Sequence, residues 1–271
     1  MSFFRQFPKT VYDFQSDGID TQVVDLFRSV KVQNLYSDDL SIYTYYNINN
    51  GERPDILSNT LYGTPEYYWT FFVVNDKLKS GLSEWPMSAG EFDAYMDQEY
   101  AGTVIQTYPQ LGLAANGVSI LYTNSLAGPD MFHPGDRVQG VRSGANGFVV
   151  STDVQLSQLL LRDVTDGSGG AFFKENGTEN LVYYTGTNDR SVTIAKVFSH
   201  RDAPHHYEDA DGLITYTSLS INEGVSPSRV LTTVSNYEYE MQLNDERANL
   251  RIVRPEAIYN FAKTFRELIN A

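Results

Sequence analysis

The spacing of hydrophobic positions changes along this chain, and its clearest stretch runs from Gly51 to Lys79, GERPDILSNTLYGTPEYYWTFFVVNDKLK. Apolar residues recur there at helical spacing. Pro54 suits a first helical position, where its missing N–H is not needed, and Ile56, Leu57, Leu61 and Tyr62 follow it. Gly63 supplies the freedom that closes a helix. Thr64 is placed as an N-cap, with Pro65 in the first turn and Glu66 at the positive helix end. In the second helix Trp69, Phe72 and Val73 fall at i, i+3 and i+4 and share one face, with Tyr68 and Phe72 as a second pair; Asn75 and Asp76 end the run. Helices this short bury too little alone and need a strand or a partner beneath them. Leu40 to Asn49 (LSIYTYYNIN) has strand composition, and Asn50-Gly51 is the turn out of it.

The other segments follow different periods. Residues 1–39 read as an N-terminal arm without clean periodicity, carrying Phe3, Phe4, Phe7, Tyr12 and Phe14, a turn at Asp17-Gly18 and a helical turn at Asp25 to Val30. Those aromatics either pack back on their own core or lie on a neighbouring subunit, because a free arm this apolar would aggregate. After the helix pair, Trp85 sits in a loop and reads as a core or staple residue. Ser88 and Glu91 then form a capping box that opens a helix with Phe92, Tyr95 and Met96. The core with this helix spans 40–101. From 102 to 200 helical spacing disappears. Short β-rich runs at Val118–Tyr122, Arg137–Val141, Phe148–Ser151, Gln158–Val164, Leu181–Tyr184 and Val192–Phe198 alternate with turn signals such as Asn116-Gly117, Asn146-Gly147 and the Asp166–Gly170 run, which predicts a small antiparallel barrel or sandwich. Segment 201–271 returns to helix. Leu213 to Ser220 reads as a strand and Asn222 to Arg229 as a loop. Ser235 and Glu238 form a second capping box, Leu250 to Val253 is a short strand, and Ile258, Phe261, Ala262, Phe265 and Leu268 make the stripe of a last helix.

Composition narrows the chemistry. The net charge of −14 lacks the basic field of a nucleic-acid or anionic-membrane binder, so neither partner is expected, although Arg247, Arg251 and Arg254 form a locally basic segment. Absence of cysteine removes disulfides, thiolate nucleophiles and Cys–zinc sites. The first residues lack an apolar run of signal-peptide length, which points to synthesis in a cytoplasm. Carboxylates are abundant, yet none sits in a recognisable glycosidase context, and no nucleophile elbow, phosphate loop or dinucleotide fingerprint occurs. His205, His206, Glu208, Asp209 and Asp211 offer metal ligands at a spacing that fits neither a zincin helix nor an EF-hand; they read as a turn held by local side-chain bonds, Asp211-Gly212 being the turn itself. No catalytic residue, cofactor or metal is therefore expected, and the protein is not expected to be an enzyme. Tyrosine loading (19 of 271 residues) suits either interfaces or plain β-structure.

Strand, helix, Tyr-Gly joint, helix with Trp and closing Asn is the order of LysM modules. RPDILSNTLYGTPEYYWTFFVVND, more narrowly, resembles the LysM-like segment of baseplate wedge proteins of T-even-like contractile-tailed bacteriophages. The likeness continues through Leu82 to Pro86 and reappears in His205 to Gly212 (HHYEDADG) and Ser235 to Pro255 (SNYEYEMQLNDERANLRIVRP). It implies an α+β fold with a LysM-like strand-helix-helix core built on Leu57, Leu61, Tyr62, Trp69, Phe72 and Val73 and extended terminal arms; separately, HPGDRVQGVRSGANGFVVS and LLLRDVTDGSGG look like an SH3-like barrel, read as a small all-β insertion that the wedge family does not always carry. The wedge likeness also implies a structural virion protein of the tail baseplate, assembled in the host cytoplasm. Such a protein binds wedge core proteins and clamps neighbouring wedges around the tail hub, six copies to a ring. Phe3, Phe4, Phe7, Tyr12, Arg53, Tyr67, Trp85, Arg247, Arg251 and Arg254 are the expected partner-facing residues. The competing expectation is sugar binding, since LysM modules grip N-acetylglucosamine in a groove that corresponds here to Asn50 to Asp55 and Asn75 to Gly81.

Overall fold

A computed structural model describes residues 7–14, 16, 18–25, 42–108, 111–113, 119–121, 132–184, 191–215 and 231–270. Phe3 and Phe4, most of the expected Asp25 to Val30 turn, Asn116-Gly117, the later part of the Leu213 to Ser220 strand and the Asn222 to Arg229 loop lie outside these residues. The described chain is α+β and divides into two compact units, Met1–Phe92 with Gln242–Ala271, and Asp93–Met241.

The first unit opens with a hairpin, β1 (Lys9–Tyr12) against β2 (Thr21–Val24), that the sequence did not predict within its N-terminal arm. Strand β3 (Tyr43–Asn47) follows, then α1 (Pro54–Tyr62). Helix α1 starts and stops where its punctuation directs. Pro54 occupies the first turn, and Gly63 takes a left-handed φ of 71° while its N–H closes on the Asn59 carbonyl. Thr64 accepts a hydrogen bond from the Glu66 N–H, but the turn it caps, Pro65–Tyr67, is a 3-10 turn, and the helix proper, α2, is only Trp69–Val74.

The buried face of α2 also differs from the expected one. Trp69, Thr70, Phe71 and Val74 are buried, whereas Phe72 and Val73 are half-buried. The reason is that α2 feeds two clusters. Trp69 and Val74 join Tyr43, Val253, Ile258, Phe261 and Phe265; Phe71 joins Ile48, Leu57, Leu78, Leu250 and Ile252. A helix covered on two sides has no single stripe.

The second unit begins within α3 (Ala89–Glu99) and ends within α4 (Asn236–Ala248). Both helices open on the expected capping boxes. Glu91 accepts from the Ser88 N–H at 2.9 Å, and Glu238 accepts from the Ser235 N–H at 2.8 Å. Between them six strands close into a barrel: β4 (Thr103–Thr107), β7 (Arg137–Gly140), β8 (Asn146–Asp153), β9 (Gln158–Thr165), β10 (Asn180–Tyr183) and β11 (Ser191–Ser199), in the order β10-β11-β4-β9-β8-β7. Every neighbouring pair is antiparallel, and inward residues such as Val138, Val149, Leu159, Leu161, Leu181, Val192 and Ile194 fill the interior. A ribbon of β5 (Leu111–Leu113) and β6 (Ser119–Leu121) interrupts the barrel, and a sheet of β12 (Pro204–Glu208), β13 (Ile214–Thr215) and β14 (Thr232–Ser235) follows it. The barrel's turns are tied by Glu179, almost wholly buried, which accepts from the backbone N–H groups of Arg142, Ser143 and Lys174 and from the Ser143 hydroxyl. Gly167 approaches the same turn so closely that a Cβ there would lie 1.7 Å from the Ser143 carbonyl oxygen.

The chain ends in the first unit. Strand β15 (Asn249–Val253) pairs antiparallel with β3, and α5 (Ile258–Asn270) lays Ile258, Phe261, Ala262, Phe265 and Ile269 on the core. Ile269 replaces the expected Leu268, because a 3.6-residue period returns to the stripe eleven residues after Ile258, not ten. Among the described residues no helix is long and apolar enough to cross a membrane.

Candidate interaction surface

The core of the first unit is joined to the end of the chain by side chains acting on backbone. Asn75 closes α2 and bridges to β15: its Nδ2 donates to the carbonyls of Phe71 and Arg251, and its Oδ1 accepts the Arg251 N–H at 2.9 Å. The carboxamide thus pairs with the outer edge of β15 as a neighbouring strand would. Tyr62 donates from its hydroxyl to the Val253 carbonyl one step further along, and burial raises its pKa. Trp69 packs against the Phe261 and Phe265 rings at centroid distances of 6.4 and 4.8 Å.

These bonds fix several residues expected to face partners. Arg251 donates to the Val74 carbonyl at 2.7 Å and lies over the Tyr43 ring. Trp85 donates from Nε1 to the Glu52 carbonyl and packs against Phe71 and Phe72. Tyr67 stands edge-on to Tyr62, and Phe7 packs on the cluster around Trp69. Arg247 is half-buried in the last turn of α4. More open to solvent are Arg53, in a two-bond pair with Asp55, and Arg254, whose Nε reaches the Tyr43 carbonyl. Of the core residues named from sequence, Leu57 and Trp69 are buried, and Leu61, Tyr62, Phe72 and Val73 are half-buried.

Among the described residues the hairpin groups several exposed apolar side chains on one short ribbon. Seven of its eight strand residues are exposed, and Val11, Tyr12, Phe14, Ile19 and Val24 all show large apolar area, with Tyr12 edge-on to Phe14 at 4.9 Å. Asp13 caps its turn by accepting the Gly18 N–H, and the Asp25 N–H closes its base on the Pro8 carbonyl. An isolated two-stranded ribbon is marginal in water.

The loops that correspond to a sugar groove are internally engaged. Glu52 accepts from the Tyr46 hydroxyl and from both nitrogens of Asn49, Asn50 accepts the Ala89 N–H, and Lys77 donates to the Glu246 carbonyl. The histidine motif contains the expected turn at Asp211-Gly212, held by Asp209, which accepts from the N–H groups of Asp211 and Leu213, but His205 and His206 precede it in strand β12. A bulge beside His205 brings its Nδ1 to 2.7 Å from that of His206, whose Nε2 lies 3.2 Å from Glu208. Burial and the neighbouring His206 lower the His205 pKa. His205 also lines a cleft of about 280 Å³ with His200, Asp153 and Gln158. Gln158 there is bonded to the Pro204 carbonyl and Asp153 to the Leu156 N–H. Among the described residues no three His, Asp or Glu side chains converge to hold a metal ion.

Residues 3–106 match the protein-family model described as Base plate wedge protein 53, and no curated protein matches the chain. The match spans β1 to most of β4; it stops short of β15 and α5, which complete the core it begins, and short of the remaining barrel strands. It supports a structural protein of a phage tail baseplate, a family without enzymatic character.

Proposed function

We propose that this chain is a baseplate wedge subunit of a contractile phage tail, which binds wedge core proteins and clamps adjacent wedges around the central hub, six copies to a ring. The family match over residues 3–106 carries this reading, and the exposed hairpin within that segment gives it a physical means. We read β3, α1, α2 and β15, with the barrel inserted between α2 and β15, as a LysM-like module. In this protein it serves docking to protein. A sugar groove needs polar groups turned toward a ligand, whereas Glu52, Asn50 and Lys77 are engaged within the fold. The hairpin aromatics, with Arg53 and Arg254, supply the apolar and guanidinium anchors that dominate protein interfaces. Assembly takes place in the host cytoplasm before the particle is released.

Electron microscopy of intact tails, with density traced at the baseplate, tests this. The expected result is a ring element that bridges adjacent wedges, with the hairpin against a neighbouring subunit. Absence of the chain from the particle, together with retention of the protein on purified peptidoglycan, would replace this reading with the sugar-binding one.

A further inference from the structure

The barrel carries a row of four residues that nothing above uses. Arg137 on β7 lies directly opposite Phe148 on β8, and Phe148 directly opposite Arg162 on β9. On the other side of β7, the residue after β10, Tyr184, donates its N–H to the Arg137 carbonyl. Opposed residues share a face, and the alternate positions Val138, Gly147 and Leu161 are buried inside, so Tyr184, Arg137, Phe148 and Arg162 all point outward. The row spans three strand spacings, roughly 14 Å.

Two features separate this row from ordinary solvated β-surface. Arg137 is held in place: its guanidinium lies 3.9 Å from the Tyr184 ring centroid and 5.8 Å from that of Phe148, and both Nε and Nη2 donate to Asn146 Oδ1. In a chain with 34 carboxylates against 20 basic residues, Arg137 has no carboxylate partner among the described residues. Among the described residues Arg162 has a loose 3.8 Å pair with the equally exposed Asp163. Val182, Gln139, Asn146 and Val150, which flank the row, are uncharged, and Asp163 is the exposed carboxylate beside it. A rigid guanidinium with spare N–H donors loses little entropy when it takes a planar carboxylate.

We propose that this face docks an acidic amphipathic helix of another protein. The backbones of the two arginines stand two strand spacings apart, roughly 9.6 Å, which a helix lying across the strands matches. Positions i and i+7 of an α-helix lie on one face about 10.5 Å apart, whereas same-face positions of a strand fall at about 6.8 or 13.6 Å. Carboxylates at i and i+7 meet Arg162 and Arg137, and an apolar residue at i+3 or i+4 covers Phe148. A nucleic acid fits less well, because two arginines on a protein of net charge −14 give no extended basic field.

The test uses the full-length protein and a fluorescein-labelled synthetic helical peptide with Glu at i and i+7 and Leu at i+3 and i+4, read by fluorescence anisotropy. The acidic peptide is expected to bind, and its Lys-for-Glu counterpart is not. Arg162→Glu and Phe148→Ser each weaken binding about tenfold or more, and added salt weakens it in the wild type. Both side chains are exposed, so thermal unfolding should confirm an intact fold. Equal affinity in Arg162→Glu, or no binding by the wild type, overturns the proposal. So does a single-stranded oligonucleotide that displaces the peptide, or sedimentation showing self-association that Arg162→Glu abolishes. The face lies outside residues 3–106, so the wedge reading and this one fail independently.

Discussion

Glu179 is a carboxylate taken out of water. Burial by itself pushes its pKa up, but three backbone N–H donors and the Ser143 hydroxyl outweigh that and hold it below the ordinary carboxylate value. A depressed pKa contributes stability that is present above the unfolded value of 4.5 and is lost as pH falls through the folded one. The barrel should therefore lose stability below about pH 4.5 in urea titrations. Glu179→Gln sets an amide NH2 against N–H donors and should cost roughly 2–4 kcal/mol at neutral pH. It should also flatten the acid limb; an acid limb of unchanged depth would assign it to other carboxylates. Nothing in the string Gly177-Thr178-Glu179 announces this role, because the donors come from Arg142, Ser143 and Lys174, up to 37 residues away. The Glu91 and Glu238 boxes were legible for the opposite reason: donor and acceptor sit three residues apart.

Helix α2 is six residues long and would not persist alone. Its order comes from Trp69, which is 5 % exposed and packs on Phe261 and Phe265 of α5. Trp69→Ala should destabilise the first unit by roughly 3–5 kcal/mol, measured by chemical denaturation. A variant of unchanged stability with weakened binding would move Trp69 from core to surface duty. The sequence located α1, α5 and most barrel strands because a periodic stripe or alternation is written into each. It missed the β1–β2 hairpin because exposed strands carry no hydrophobic alternation to detect. It misjudged the inner face of α2 because a helix between two clusters breaks the one-stripe rule. The Tyr184–Arg137–Phe148–Arg162 row was invisible for a third reason: its members are adjacent only through strand register.

At the scale of the whole molecule, the hairpin is a cassette. The Pro8 carbonyl and Asp25 N–H are hydrogen-bonded at its base, so residues 9–24 can be replaced by a short Gly-Ser linker without stretching the backbone. Phe7, which packs on the Trp69 cluster, is left in place. The shortened protein should unfold at the wild-type temperature but fail to enter baseplates when supplied to tails lacking the native chain. An unfolded variant would show that the hairpin belongs to the core, and normal incorporation would remove it from assembly.

Strand β3 and its partner β15 bring a further consequence, one of timing. Asn47 pairs with Asn249, and 249 − 47 = 202 residues separate them. At a synthesis rate of about 5–20 residues per second, roughly 10–40 s pass between the emergence of the two strands. During that interval Trp69, Phe71 and Leu57 await the strand and helix that cover them, while the barrel, whose strands run from Thr103 to Ser199, has its whole sequence in hand. Vectorial folding therefore runs from the middle of the chain outward. The first unit, which holds most of the wedge-family match, completes its core only after α5 has left the ribosome, so it is the later of the two units to fold.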